Sequence, residues 1–190
     1  MAGGEYKRPM QRDKSQLQDT AGAAPAADRG RTPLAASEFH RALTPGARLI
    51  GIDVGTKTLG LALSDVTRTI ASPLETIRRT KFTADAARLL DLAGLHSIGG
   101  FVIGLPANLD ATEGPRAQST RAFARNLLRL TSLPVLLWDE RLSTAEAERV
   151  LIAADASRKR RAEVIDKVAA TIILQTALDR LRHFTDTGMD

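Results

Sequence analysis

Three acidic residues stand where local structure alone would not choose them. Asp53 ends the apolar run Leu49-Ile50-Gly51-Ile52, which otherwise reads as a buried strand. Glu140 ends a second such run, Val135-Leu136-Leu137-Trp138, with Asp139 just before it. Asp166 is followed three, four and seven residues on by Ala169, Ala170 and Ile173. On a helix it would share a stripe with small apolar side chains and face a sheet rather than water. An inward carboxylate is costly unless it is paired or bound to a cation. In open α/β sheets, ligands gather at the carboxyl ends of the strands, where Asp53 and Glu140 both lie. Three hard oxygen donors, with no cysteine in the chain and no histidine nearby, suit Mg²⁺ or Mn²⁺ rather than Zn²⁺. Two such ions about 3.5–4 Å apart can activate a water and stabilise the leaving oxygen of a phosphodiester.

Taken singly, each acid has an ordinary explanation. Asp53 would serve as a turn or capping aspartate, Glu140 as a surface partner of Arg141, and Asp166 as a first-turn acid favoured by the helix dipole. These readings explain poorly why three acids of one type converge on one sheet end. Basic residues flank the acids. Thr56 and Lys57 sit in the turn after Asp53, and Arg158, Lys159, Arg160 and Arg161 form the densest charge run in the chain. Such a run is usually a solvated loop. Beside a carboxylate site it would instead grip phosphates, with salt-dependent affinity.

The elements that must position these residues follow from periodicity. Residues 48–54 and 58–64 read as two strands joined by the turn Gly55-Thr56-Lys57. Residues 70–79 make a third strand, with Pro73 pointing to a sheet edge. A helix over 83–95, a buried strand over 98–106, a helix over 115–130 opened by Pro115, and a strand over 133–140 come next. Ser143-Thr144-Ala145-Glu146 is a capping-box pattern that predicts another helix start, and a last helix is expected from about Glu163 to His183. The order implies an α/β fold with a mixed sheet and helices on its faces.

Composition bounds the rest. A chain of 190 residues can bury a substantial core. Residues 1–46 are Ala/Pro/Gly/Ser-rich and are expected to form a disordered tail. Residues 47–185 are expected to form one domain, and 186–190 a short C-terminal tail. The absence of cysteine excludes a disulfide scaffold and thiol catalysis, and fits a reducing cytoplasm. No apolar stretch is long enough to span a bilayer. The net charge is +5, of which +2 lies in residues 1–46 and +3 in the remainder. That makes nucleic acid a candidate partner without selecting it.

At this point four ordered motifs carry a resemblance. "GIDVGTKTLGLALSD", "VIGLPANLDATEGPRAQ", "WDERLSTAEA" and "IDKVAATIILQ" resemble those of a small bacterial nuclease family. Its members are described as Holliday junction resolvases and as nucleases processing the 5′ end of precursor 16S ribosomal RNA. The resemblance covers about residues 48–184. It implies a ribonuclease H-like fold, a five-stranded mixed sheet with the first three strands antiparallel and helices flanking it. It also implies that Asp53, Glu140 and Asp166 form the active site, and it selects Glu140 over Asp139. Joined to the ligand chemistry above, the expectation is that Asp53 bridges two Mg²⁺ ions (or Mn²⁺), with Glu140 and Asp166 each holding one. Arg158, Lys159, Arg160 and Arg161 contact the nucleic-acid backbone, and Thr56 and Lys57 approach the scissile phosphate. The Asn108–Gly114 loop resembles a family loop near that site.

"GIDVGT" also looks like the first phosphate loop of actin-like ATPases and sugar kinases. That superfamily needs two such domains and a second glycine-rich phosphate loop; residues 47–190 leave room for one such domain and hold no second Asp-x-Gly-x-Gly segment, so a kinase is not expected. A catalytically silent nucleic-acid-binding protein of the same fold is the third reading; the intact acids argue against it. Structured RNA is favoured over branched DNA as substrate by the small size of the chain and by the resemblance. A two-fold DNA junction would favour a homodimer.

Overall fold

The structure is a computed structural model describing residues 31–106, 114–140 and 158–186, with backbone alone at 158–165 and 185–186. The described residues form five strands: β1 (Arg48–Val54), β2 (Thr58–Ser64), β3 (Ala71–Arg78), β4 (Ile98–Leu105) and β5 (Val135–Asp139). They form one sheet in the order β3-β2-β1-β4-β5. The β1–β2 and β2–β3 pairs are antiparallel, and β1–β4 and β4–β5 are parallel. This is the mixed sheet expected from the ribonuclease H-like resemblance. Pro73 lies on the edge strand β3, where its missing N–H costs least.

Strand alternation sorts the core into two layers. Ile50, Ile52, Leu59, Leu61, Phe101 and Ile103 pack against α2 (Phe82–Leu95) and α3 (Pro115–Leu128). The opposite face, with Leu49, Ala62, Val102, Leu136 and Trp138, packs against α1 (Ala36–Ala42) and α4 (Arg158–Asp186). On that second face three glycines let α4 lie close. A Cβ on Gly51 would stand 2.6 Å from Leu174 Cβ, one on Gly60 would overlap the Asp166 carbonyl, and one on Gly104 would overlap Ile173.

Two expectations need correction. The tail does not extend to residue 46: the Leu34 N–H donates to Val135 O at 2.8 Å, and Arg31 donates to Thr131 O and Ser132 O. Phe39 of α1 is fully buried, against Gly100. Residues 31–46 therefore belong to the domain and cover the β5 edge, which would otherwise expose unpaired backbone groups. The last helix also begins earlier than Glu163. Arg158 to Arg161 are helical, not a loop, which suits residues with near-alanine helix propensity and no glycine or proline among them. The helix expected after Ser143 lies outside the described residues. Among those described, no helix is long and apolar enough to cross a membrane.

Candidate active site

Residue parity places the acids. Leu49, Gly51 and Asp53 share one face of β1, and Leu49 and Gly51 meet α1 and α4 there. Asp53 is the last inward residue before the turn, opposite Gly60 of β2. On β5, Leu136 and Trp138 face α4, so Glu140, one step past the strand, continues that face while Asp139 points the other way. The Glu140 carboxylate reaches over β4, where a Cβ on Gly104 would stand 2.6 Å from its Oε1. Asp166 sits on α4 above Gly60. Because the helix starts at Arg158, Asp166 lies more than two turns in, so a first-turn dipole role does not account for it. All three acids are half-buried.

Their charges are felt mutually. Burial pushes the Asp53 carboxyl above the ordinary carboxylate range, the Asp166 charge pushes it further, and Arg116 partly offsets both. Burial likewise raises Glu140, with the Asp53 charge next and Arg116 opposing. Asp53 is thus the shared member of two like-charge pairs. Among the described residues, no three Asp, Glu or His side chains converge on one ion-sized position. The donor set fits a hard divalent cation in its chemistry and in its deficit of positive charge, with the acids disposed as pairs about Asp53.

Neighbouring residues hold this arrangement, and several were not evident from sequence. Thr58 Oγ1 donates to Asp166 Oδ2 at 2.7 Å, fixing the carboxylate's orientation. Arg116, at the start of α3, brings positive charge to both Asp53 and Glu140. Arg79 ties down the turn that follows Asp53. Its Nη1 donates to Gly55 O at 2.6 Å and its backbone N–H to Lys57 O at 2.9 Å. Behind it lies Asp85, buried in the first turn of α2, 3.9 Å from Arg79 Nε and accepting from the Thr80 N–H at 3.1 Å. Thr56 and Lys57 are exposed at the tip of that turn. The side chains of Arg158, Lys159, Arg160 and Arg161, and all of Asn108, lie outside the described residues.

Arg79→Met removes a charge-assisted hydrogen bond and leaves buried Asp85 without its nearest cation. A loss of about 2 kcal/mol is expected, lowering the melting temperature by roughly 4–8 °C. Thermal unfolding of the variant checks this; an unchanged melting temperature would mean that the turn holds without Arg79.

Known proteins share this chain's sequence over most of its length. The RuvX family model, described as Holliday junction resolvase, matches residues 47–180. A protein of Ruegeria sp. (strain TM1040) is 60% identical over 146 residues, covering 77% of this chain and 93% of that protein. One from Paracoccus denitrificans is 63% identical over 149 residues, covering 78% and 94%. Both bear the name "Putative pre-16S rRNA nuclease". Among solved structures, Thermus thermophilus RuvC in complex with a Holliday junction substrate is similar at 14% identity and a TM-score of 0.49, covering 75% of this chain and 97% of that one. Matched by that model over most of its length, and about 60% identical to these relatives, the chain belongs to the RuvX family.

Proposed function

We propose that this protein is a metal-dependent phosphodiester nuclease of the cytoplasm that processes the 5′ end of precursor 16S ribosomal RNA. The observation that carries the reading is the placement of Asp53, Glu140 and Asp166 on one face of the sheet, where Asp53 feels the Asp166 charge and Glu140 feels the Asp53 charge. The relatives' name supplies the substrate. Asp53, Glu140 and Asp166 would hold Mg²⁺ or Mn²⁺, which when bound activates a water and stabilises the leaving oxygen. Thr58 keeps Asp166 aimed at the site, and Arg79 keeps the turn after Asp53 in place. Thr56 and Lys57, exposed on that turn, donate to the phosphate next to the cleaved bond. Arg116 adds positive charge at the rim, where the backbone's negative charge must be accommodated.

The test is Mg²⁺-dependent cleavage by the wild-type protein of a precursor 16S RNA leader fragment and of a four-way DNA junction, side by side. Cleavage of the RNA alone is expected. Cleavage of the junction alone would move the substrate to branched DNA, for which a homodimer is the natural assembly. Cleavage of neither, across several metals, would leave a nucleic-acid-binding protein.

The basic first turn of α4 is the proposed backbone grip. Replacing Arg158, Lys159, Arg160 and Arg161 by Gln preserves helix propensity and removes four charges. RNA affinity at physiological salt should fall at least about tenfold. The slope of log affinity against log salt should flatten by about 0.7 for each phosphate no longer neutralised. An unchanged slope, measured by titration at several salt concentrations, would return this turn to the role of a solvated helix end.

A further inference from the structure

The other end of the sheet carries a second cationic cleft that the cleavage reading does not use. It lies between the β2–β3 turn, α1 and the last turns of α4, with a volume of about 240 Å³. Arg68, Arg182, His40 and Thr67 line it over a floor of leucines. The Thr58–Ser64 strand separates it from the acids by about 20 Å, and the sixteen residues from Asp166 to Arg182 on α4 rise about 24 Å.

Arg68 carries one mark of a binding residue, in its side chain rather than its backbone. Its φ is +54°, an uncommon left-handed conformation set by the hairpin turn, in which the Arg68 N–H donates to Asp65 O and the Asp65 N–H to Ile70 O. Its Nη1 is buried, and it is the one buried side-chain nitrogen or oxygen without a hydrogen-bond partner among the described residues. A buried, unsatisfied guanidinium donor in a native fold calls for a missing acceptor. The nearby acids do not supply it. Asp65 accepts from the Thr67 hydroxyl and from the backbone N–H groups of Thr69 and Ile70, the latter two at 2.7 and 3.0 Å. Asp179 accepts from Gln175 at 3.0 Å and pairs with Arg182 at 3.6 Å. Arg182 spends one further donor on Thr69 O at 3.2 Å. The cleft is thus walled by two guanidinium groups and an imidazole, with its carboxylates already engaged.

We propose that this cleft binds a phosphate group, with Arg68 as the principal ligand and Arg182 as the second. The planar fork of arginine matches a tetrahedral oxyanion better than a point charge does. At about 30 Å³ per water, the volume admits a phosphate with several waters but no folded nucleic-acid element. The phosphate has two possible sources: the backbone of a bound nucleic acid some six nucleotides from the acids, at about 3.4 Å rise each, or a free phosphate or nucleotide. The backbone source rests on the nuclease reading; the phosphate site itself does not.

The experiment uses the full chain in EDTA, so that cleavage cannot intervene. Inorganic phosphate binding is followed by calorimetry, and binding of a single-stranded RNA of about 20 nucleotides, long enough to span both sites, by fluorescence anisotropy. Arg68→Gly is the decisive variant, because glycine takes the +54° φ without strain; it should fold with an equal or higher melting temperature. Affinity should fall at least tenfold for inorganic phosphate. If the RNA also weakens, with its salt slope flattened by about 0.7, the backbone is the natural source; if the RNA is unaffected, a free phosphate or nucleotide is. Arg182→Gln, on an exposed helix position, should weaken the same ligand and serves as the second variant. Unchanged binding of both ligands in both variants would overturn the proposal.

Discussion

Asp53→Asn is expected to slow phosphodiester cleavage by about 10³-fold or more while raising the melting temperature in metal-free buffer. The loss follows from the role proposed for Asp53, because transition-state stabilisation by a bound cation is worth several kcal/mol and each 1.36 kcal/mol is a factor of about ten. The gain in stability follows from the raised pKa. Burial first, and the Asp166 charge second, hold the folded-state value of Asp53 above its unfolded value. The folded protein therefore binds this proton more tightly than the unfolded chain does. Above the folded-state pKa both states are ionised, and the full penalty weighs on the fold. As pH falls through that value the fold takes up the proton and the penalty shrinks, and it is gone below the unfolded value. Glu140 acts in the same direction. The Asn variant should thus be more stable than wild type near neutral pH, by roughly 2–4 °C for each kcal/mol relieved, and the difference should close on acidification. Saturating Mg²⁺ should raise the wild-type melting temperature and leave the variant's nearly unchanged. Paired cleavage and thermal-unfolding measurements check both halves. Activity persisting in the variant would remove Asp53 from the chemistry, and a lowered melting temperature would mean that the carboxylate is structurally satisfied without a cation.

Much of this site was legible because it rests on periodicity. The apolar runs of β1 and β2 located Asp53 and the turn after it, and the strand bounds read from sequence differ from those observed by at most two residues. The stripe Ala169, Ala170 and Ile173 placed Asp166 toward the sheet, and Ala170 and Ile173 are indeed buried there. What was missed depends on tertiary contact. The α1 helix is only seven residues long and sits in an Ala/Pro-rich stretch, so propensity alone could not support it. Its anchor, Phe39, needs Gly100 beneath it to be buried. The basic run read as a loop because such charge runs are usually solvated loops, yet Arg158 to Arg161 are good helix formers continuous with the Asp166 helix. The contacts from Thr58 to Asp166 and from Arg79 to Gly55 span 108 and 24 residues, and no local pattern reports them. Arg68 was passed over because an arginine in a turn is unremarkable until its buried nitrogen is seen.

Gly60→Ala should be highly damaging, because among the glycines of the described residues an added Cβ makes its closest backbone clash there. A Cβ there would overlap the backbone carbonyl of Asp166, which cannot rotate aside, so α4 must move off the sheet where it carries its acid. Overpacking against side chains costs about 1–3 kcal/mol, and against fixed backbone the upper end or more is expected. That corresponds to a drop of roughly 10 °C, with loss of cleavage in whatever fraction still folds. Two other glycines set the scale. At Gly94, on the exposed side of α2, an added Cβ meets nothing within 4 Å, and Ala should be neutral or stabilising by about 0.5–1 kcal/mol. At Gly104 the added Cβ meets the ends of the Ile173 and Glu140 side chains, the latter at 2.6 Å. Those ends can swing away, so this variant should keep most of its stability while losing activity through a displaced Glu140. Melting temperature and cleavage rate should therefore separate the three: both lost at Gly60, activity alone at Gly104, neither at Gly94. Should Gly60→Ala unfold at the wild-type temperature and cleave at the wild-type rate, close approach of α4 to β2 could not be what holds Asp166 beside Asp53. The hydrogen bond from Thr58 would then have to position that carboxylate unaided.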